Sequence, residues 1–90
     1  MAKVTIPVQY RKLANDEAYF YSSRERVCDI VTELVEVYPG LKPLLLDETG
    51  SFRSSVLFFI DKKDIRTLNG ADTIVSEKSD LRIVPAIAGG

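Results

Sequence analysis

Histidine is missing from this chain, and cysteine occurs once, at Cys28. The commonest general base and metal ligand is therefore absent. A lone cysteine gives neither an internal disulfide nor the four thiolates of an iron–sulfur cluster. No metal site and no Cys–His nucleophile is expected. Cys28 falls at the edge of an apolar helical stripe, where a half-buried structural thiol fits better than a transfer thiol. Asp61 and Asp64 flank two lysines in "DKKD", which reads as a solvated turn rather than an acid–base pair. Asn69-Gly70 is a turn signal. Tyr19 and Tyr21 could stack on bases, but without surrounding basic residues they are assigned to sheet packing.

What remains is the end of the chain, "LRIVPAIAGG". A strand-like run meets Pro85, then Ala86, Ile87 and Ala88, then Gly89 and Gly90. A frayed terminus is one reading. The other gives each residue a task. Glycine lacks Cβ, so channel walls and a nucleotide phosphate can approach the backbone closely. A short apolar stem can dock by strand addition. A free carboxylate is a poor electrophile because its charge is spread over two oxygens. Conversion to an acyl-adenylate supplies a leaving group, after which sulfur or an amine can attack. No base on this chain is needed, so the catalyst would be another protein.

The elements that would carry such a tail follow from periodicity. "KVTIPVQY" alternates, with Val4, Ile6, Val8 and Tyr10 on one face, and predicts a strand in which Pro7 sits at a bulge or a non-bonded position. "RKLANDE" predicts a polar turn and "AYFYS" a second strand, paired as an antiparallel hairpin. Val27, Ile30, Val31, Leu34 and Tyr38 recur with helical spacing. Ser22 and Glu25 have capping-box spacing for the helix start, and "YPG" ends the helix. A turn or short helix is expected around Leu44–Leu46. "VLFFI" is the third strand, Ile65 and Arg66 begin a short return strand, and "LRIV" is the last, stopped by Pro85. Strand, strand, helix, strand, short strand, strand makes an α+β roll with one main helix on one face of a small mixed sheet.

That helix leaves the other sheet face open. Val56, Phe58 and Ile60 alternate with Leu57 and Phe59, and Leu81 and Ile83 alternate with Arg82 and Val84. Leu57, Phe59 and Val84 are expected on the uncovered side. They form a partner surface, or ground covered by the connection 41–55, or part of a strand buried on both sides.

Ninety residues allow one domain: a body over 1–84 and a flexible tail over 85–90. Twelve basic against thirteen acidic residues leave a net charge of −1, so neither nucleic acid nor a membrane surface is an expected partner. The opening residues show no secretory signal. With the single cysteine, this predicts a cytoplasmic protein.

The sequence resembles the ubiquitin-like β-grasp sulfur carriers, the MoaD/ThiS family, and within it the CysO-like carriers. The likeness runs through "VTIPVQYRKL", "RVCDIVTELVEVYPGLKPLLLD", "FFIDKKDIRTLNG" and, most diagnostically, "SDLRIVPAIAGG". It implies a β-grasp fold and a protein cosubstrate rather than an enzyme. No cofactor would reside on this chain; an E1-like activating enzyme of the MoeB/ThiF type would use ATP and magnesium to adenylate Gly90. The adenylate would become a thiocarboxylate that gives sulfur to a biosynthetic enzyme. By the same resemblance Gly89 lets the tail thread the partner's active site, Pro85, Ala86, Ile87 and Ala88 fill its groove, and Leu57, Phe59 and Val84 dock on it. Molybdopterin-type members usually carry two prolines before the tail. Ala86 after Pro85 departs from that and favours an amino-acid pathway (cysteine or homocysteine) or a siderophore pathway over molybdopterin or thiamine. A metalloprotease would trim any precursor extending past the diglycine. Two other readings share these letters: a modifier joined to lysines through Gly90, and an interaction domain whose tail has no role.

Overall fold

A computed structural model of the chain describes residues 1–86. Strands β1 (Ala2–Thr5) and β2 (Tyr19–Ser22) form the expected antiparallel hairpin, with Val4 opposite Phe20 and Thr5 opposite Tyr19. Helix α1 (Val27–Val37) follows, then the single-turn helix α2 (Lys42–Leu45). Strands β3 (Val56–Ile60), β4 (Lys63–Asp64) and β5 (Asp80–Pro85) complete a five-stranded sheet in the order β2-β1-β5-β3-β4. The central pair β1 and β5 is parallel, and the other pairs are antiparallel.

The helix stripe does what its spacing requires. Val27, Ile30, Val31 and Leu34 are at most 1% exposed, and they join Val4, Phe58, Leu81 and Ile83 in one core. Burying each such side chain stabilises the fold by about 1.5–3 kcal/mol, which outweighs the weak helix propensity of four valines in an eleven-residue helix. Tyr38 caps the C-terminal end, and Pro39 and Gly40 open a 3₁₀ turn over Pro39–Leu41.

Four expectations are corrected. The first strand ends at Thr5, and Val8–Ala14 is a 3₁₀ helix rather than strand and polar turn. Pro7 lies just before that helix, and its carbonyl accepts the Tyr10 N–H at 2.9 Å. Val8 is consequently 71% exposed, away from Val4 and Ile6, which are fully buried.

Ser22 does not cap α1. It is buried at the end of β2; its hydroxyl donates to Glu33 in mid-helix and accepts the Arg24 N–H at 3.0 Å. The helix waits until Val27 because tertiary bonds hold the preceding residues extended. The Glu25 carbonyl accepts from Val75 N–H at 2.8 Å, and Val27 N–H donates to the Thr73 carbonyl at 3.0 Å.

The return strand is Lys63–Asp64, two residues earlier than expected. The Asp64 carboxylate accepts the Arg66 N–H at 2.8 Å and caps a 3₁₀ turn over Ile65–Thr67, so Ile65 enters the core as part of a turn. The last strand runs one residue past its expected end. Pro85 pairs with Val56, and the Ala86 N–H donates to the Ser55 carbonyl at 2.9 Å. Proline is tolerated there because the ladder to β1 has already ended at Arg82.

Candidate docking face and carboxyl terminus

Alternation along the strands divides the sheet into a covered face and an open one. In β3, Val56, Phe58 and Ile60 are buried under α1, while Leu57 and Phe59 are half-buried on the far side. In β5, Leu81 and Ile83 point into the core, Arg82 is exposed and Val84 half-buried. The register sets Leu57 beside Val84 and Phe59 beside Arg82. The three residues singled out from the sequence therefore lie together on the open face, each half-buried, with Phe52, Arg53 and Ser54 of the connection 41–55 bordering Leu57.

The same face holds residues that sequence reasoning missed. Tyr19 and Tyr21 are about half exposed, at 47% and 55%, which corrects their assignment to sheet packing. They stand on the open side because Phe20 and Ser22 take the inward positions of β2. The Lys3 ammonium sits 4.2 Å from the centre of the Tyr19 ring, a cation–π contact. The available signal was the period of two in "YFYS": once Ser22 is buried, both tyrosines must face out.

Arg82 stands at the middle of this surface, opposite Thr5 of β1 on one side and Phe59 of β3 on the other. It separates two shallow troughs. One, of about 600 Å³, is floored by Phe59 and Val84 and edged by Asp61, Lys62 and Asp80. The other, of about 410 Å³, runs past Val8, Arg11 and Tyr19 to Pro85. The second ends where the tail begins.

Charges on this face are unevenly satisfied. Asp80 accepts the Thr5 hydroxyl at 2.8 and 2.9 Å. Asp61 accepts the Ser79 hydroxyl at 3.1 Å and the Asp80 N–H at 3.2 Å. Asp64, at the far edge, is bound by Arg66 at 2.6 Å. Hydrogen bonding from the Arg66 side chain, more than its charge, holds the Asp64 carboxyl below its ordinary value. The two aspartates of "DKKD" are thus tied to separate partners and form no acid–base pair. Lys3, Lys62, Arg11 and Arg82 make no ion pair among the described residues.

Cys28 is half-buried on α1, on the opposite side of the sheet from these troughs. Pro85 ends β5 and lines the second trough, and Ala86 follows it, bonded through its N–H to Ser55. Ile87, Ala88, Gly89 and Gly90, the remaining tail positions singled out above, lie outside the described residues. Among the described residues no helix is long and apolar enough to cross a membrane.

A five-stranded mixed sheet with a parallel central pair, one long helix across one face and a free opposite face defines a ubiquitin-like β-grasp domain. The ThiS family pattern matches residues 4–90, and this chain belongs to that family. The sulfur carrier protein CysO of Mycobacterium tuberculosis is 25% identical over 89 residues, which span 97% of this chain and 96% of that protein. Among solved structures, a chain of the Amycolatopsis orientalis BexX/CysO complex superposes with a TM-score of 0.87 at 24% identity, covering 100% of both chains. The small archaeal modifier protein 1 of Methanosarcina acetivorans gives a TM-score of 0.87 at 25% identity, covering 99% of this chain and 95% of that one. The expected fold and family both stand.

Proposed function

We propose that this protein is a sulfur carrier whose working group is the Gly90 carboxylate, and that it is a cosubstrate rather than a catalyst. The observation that carries this reading is the reach of the family match, which includes the "PAIAGG" segment within residues 4–90. The likeness to CysO over nearly its whole length supports the same assignment.

The chemistry needs no side chain of this protein. An E1-like activating enzyme of the MoeB/ThiF type brings ATP and magnesium. A Gly90 carboxylate oxygen attacks the α-phosphorus of ATP; that bond forms as pyrophosphate leaves. Hydrosulfide then attacks the acyl carbon, the bond from that carbon to the phosphate-bearing oxygen breaks, and AMP departs with one of the original carboxylate oxygens. The thioacid so formed gives its proton to water, leaving a C-terminal thiocarboxylate. This chain supplies the grip: Leu57, Phe59 and Val84 dock on the enzyme, Pro85 to Ala88 lie in its groove, and Gly89 lets the last carboxyl reach the nucleotide. The acceptor is a biosynthetic enzyme making an amino acid such as cysteine or homocysteine, or a siderophore. A precursor with residues beyond Gly90 would be trimmed by a metalloprotease first.

The likeness to a small archaeal modifier protein favours a second reading, conjugation of the activated Gly90 to lysines. Pyrophosphate exchange with the purified activating enzyme tests the step both share, and exchange that depends on this chain is the expected result. Peptide mapping separates the two. A carrier leaves no branched Gly-Gly remnants on other proteins, whereas a modifier does.

A further inference from the structure

We infer that Arg82 is the charged centre of the docking face and that the activating enzyme seats a carboxylate on it, with apolar side chains filling the troughs to either side. This deepens the reading above and rests on it for the identity of the partner.

Three observations point to an acidic partner. First, the whole chain carries a net charge of −1, yet the troughs are edged by Lys62, Arg11 and Arg82, with Lys3 beside them over Tyr19. Second, the two carboxylates that edge the first trough, Asp80 and Asp61, hydrogen-bond to hydroxyls and a backbone amide and are outnumbered on this face by Lys3, Arg11, Lys62 and Arg82. Arg82 has no carboxylate within ion-pair distance among the described residues. Third, Arg82 projects from the middle strand of the sheet, between Phe59 and Thr5 in register, and lines both troughs. Its guanidinium stem adjoins apolar ground, so a docked protein would strip water from it. A guanidinium desolvated in this way needs a partner with acceptor oxygens, and a carboxylate meets its fork in two parallel bonds.

The trough beyond Arg82 ties this surface to the tail. It runs to Pro85, the residue from which the tail departs, so an enzyme that holds the tail must also cover it. The acid on that enzyme therefore faces Arg82 while its groove receives the residues after Pro85.

The test uses the full-length chain and the purified MoeB/ThiF-type adenylating enzyme of the same organism, with binding followed by calorimetry and adenylation by pyrophosphate exchange. Arg82 is exposed, so Arg82→Glu should fold with an unchanged thermal midpoint. It is expected to weaken binding about thirtyfold or more, to raise KM for the carrier by the same factor with kcat retained, and to flatten the salt dependence of binding. Arg82→Lys, which keeps charge but loses the fork, should fall in between. Binding and KM of Arg82→Glu within twofold of wild type, while Leu57→Ser weakens both, overturns the inference and leaves the docking face standing. Wild-type chain that does not bind the enzyme at all overturns the inference together with that partner. Full adenylation of Gly90→Val instead removes the proposed function, whatever Arg82 does.

Discussion

The two faces of the sheet are built from alternate residues of the same strands and have opposite energetics. On the covered side, Leu81 and Ile83 are at most 2% exposed beneath α1, and everything they contribute is intramolecular. On the other side, Leu57, Phe59 and Val84 are only half-buried, Tyr19 and Tyr21 stand out in solvent, and Lys3, Lys62, Arg11 and Arg82 lack ion-pair partners among the described residues. An apolar residue left half in water stabilises the fold little. A surface that combines such residues with unpaired cations is suited to a second protein. The difference teaches where to look for function: the covered face holds the chain together, and the open face with its tail is what a partner grips.

Substitutions should obey this division. The largest effect belongs to the tail. Gly90→Val should abolish pyrophosphate exchange while thermal unfolding stays within error of wild type; full exchange would mean the activated carboxyl is not the one proposed. Next come covered-face cavities. Ile30→Ala and Leu34→Ala should each cost about 2–5 kcal/mol in chemical denaturation and alter adenylation only through the folded fraction. Normal stability in both would mean the helix face does not anchor the sheet.

Leu57→Ser inverts that pattern. It should cost about 1 kcal/mol or less in stability yet raise KM for the activating enzyme well beyond the effect of either core variant. The smallest effect concerns the rim. The folded-state pKa of Asp64 is depressed by its hydrogen bonds to Arg66, so its contribution is present above the unfolded-state value and disappears as pH falls through the folded one. Asp64→Asn should therefore lower the thermal midpoint slightly at neutral pH and leave it unchanged in strong acid. An equal shift at both pH values would assign the effect to something other than ionisation.

The covered face was far more legible in the sequence than the open one. Val27, Ile30, Val31 and Leu34 announce their helix because burial enforces the period, and β3 and β5 announce their inward residues for the same reason. Boundaries were lost where tertiary bonds compete with local pattern. The segment 73–75 bonds to Glu25 and Val27, holds Arg26 between them extended and delays α1, and Asp64 diverts Ile65 into a turn. Pro7 in an alternating run points to a bulge or a non-bonded position, whereas the strand ends before it at Thr5, and the 3₁₀ helix that follows leaves no mark in an alternating string. The open face hid most. Alternation placed Arg82 outward without showing that it stands between two troughs, and the basic residues around Tyr19 come from β1, β5 and the 3₁₀ helix. Charge gathered from distant parts of the chain is invisible until the sheet assembles it.

The account turns on the chemistry of one carboxyl group, and intact-mass spectrometry reads it directly. The full chain is incubated with its activating enzyme, ATP, magnesium and a sulfide source. The predicted product is heavier by the replacement of one oxygen with sulfur, and fragmentation places that sulfur on Gly90. An unchanged mass under conditions where the enzyme is active, or sulfur found on Cys28 instead, would contradict it.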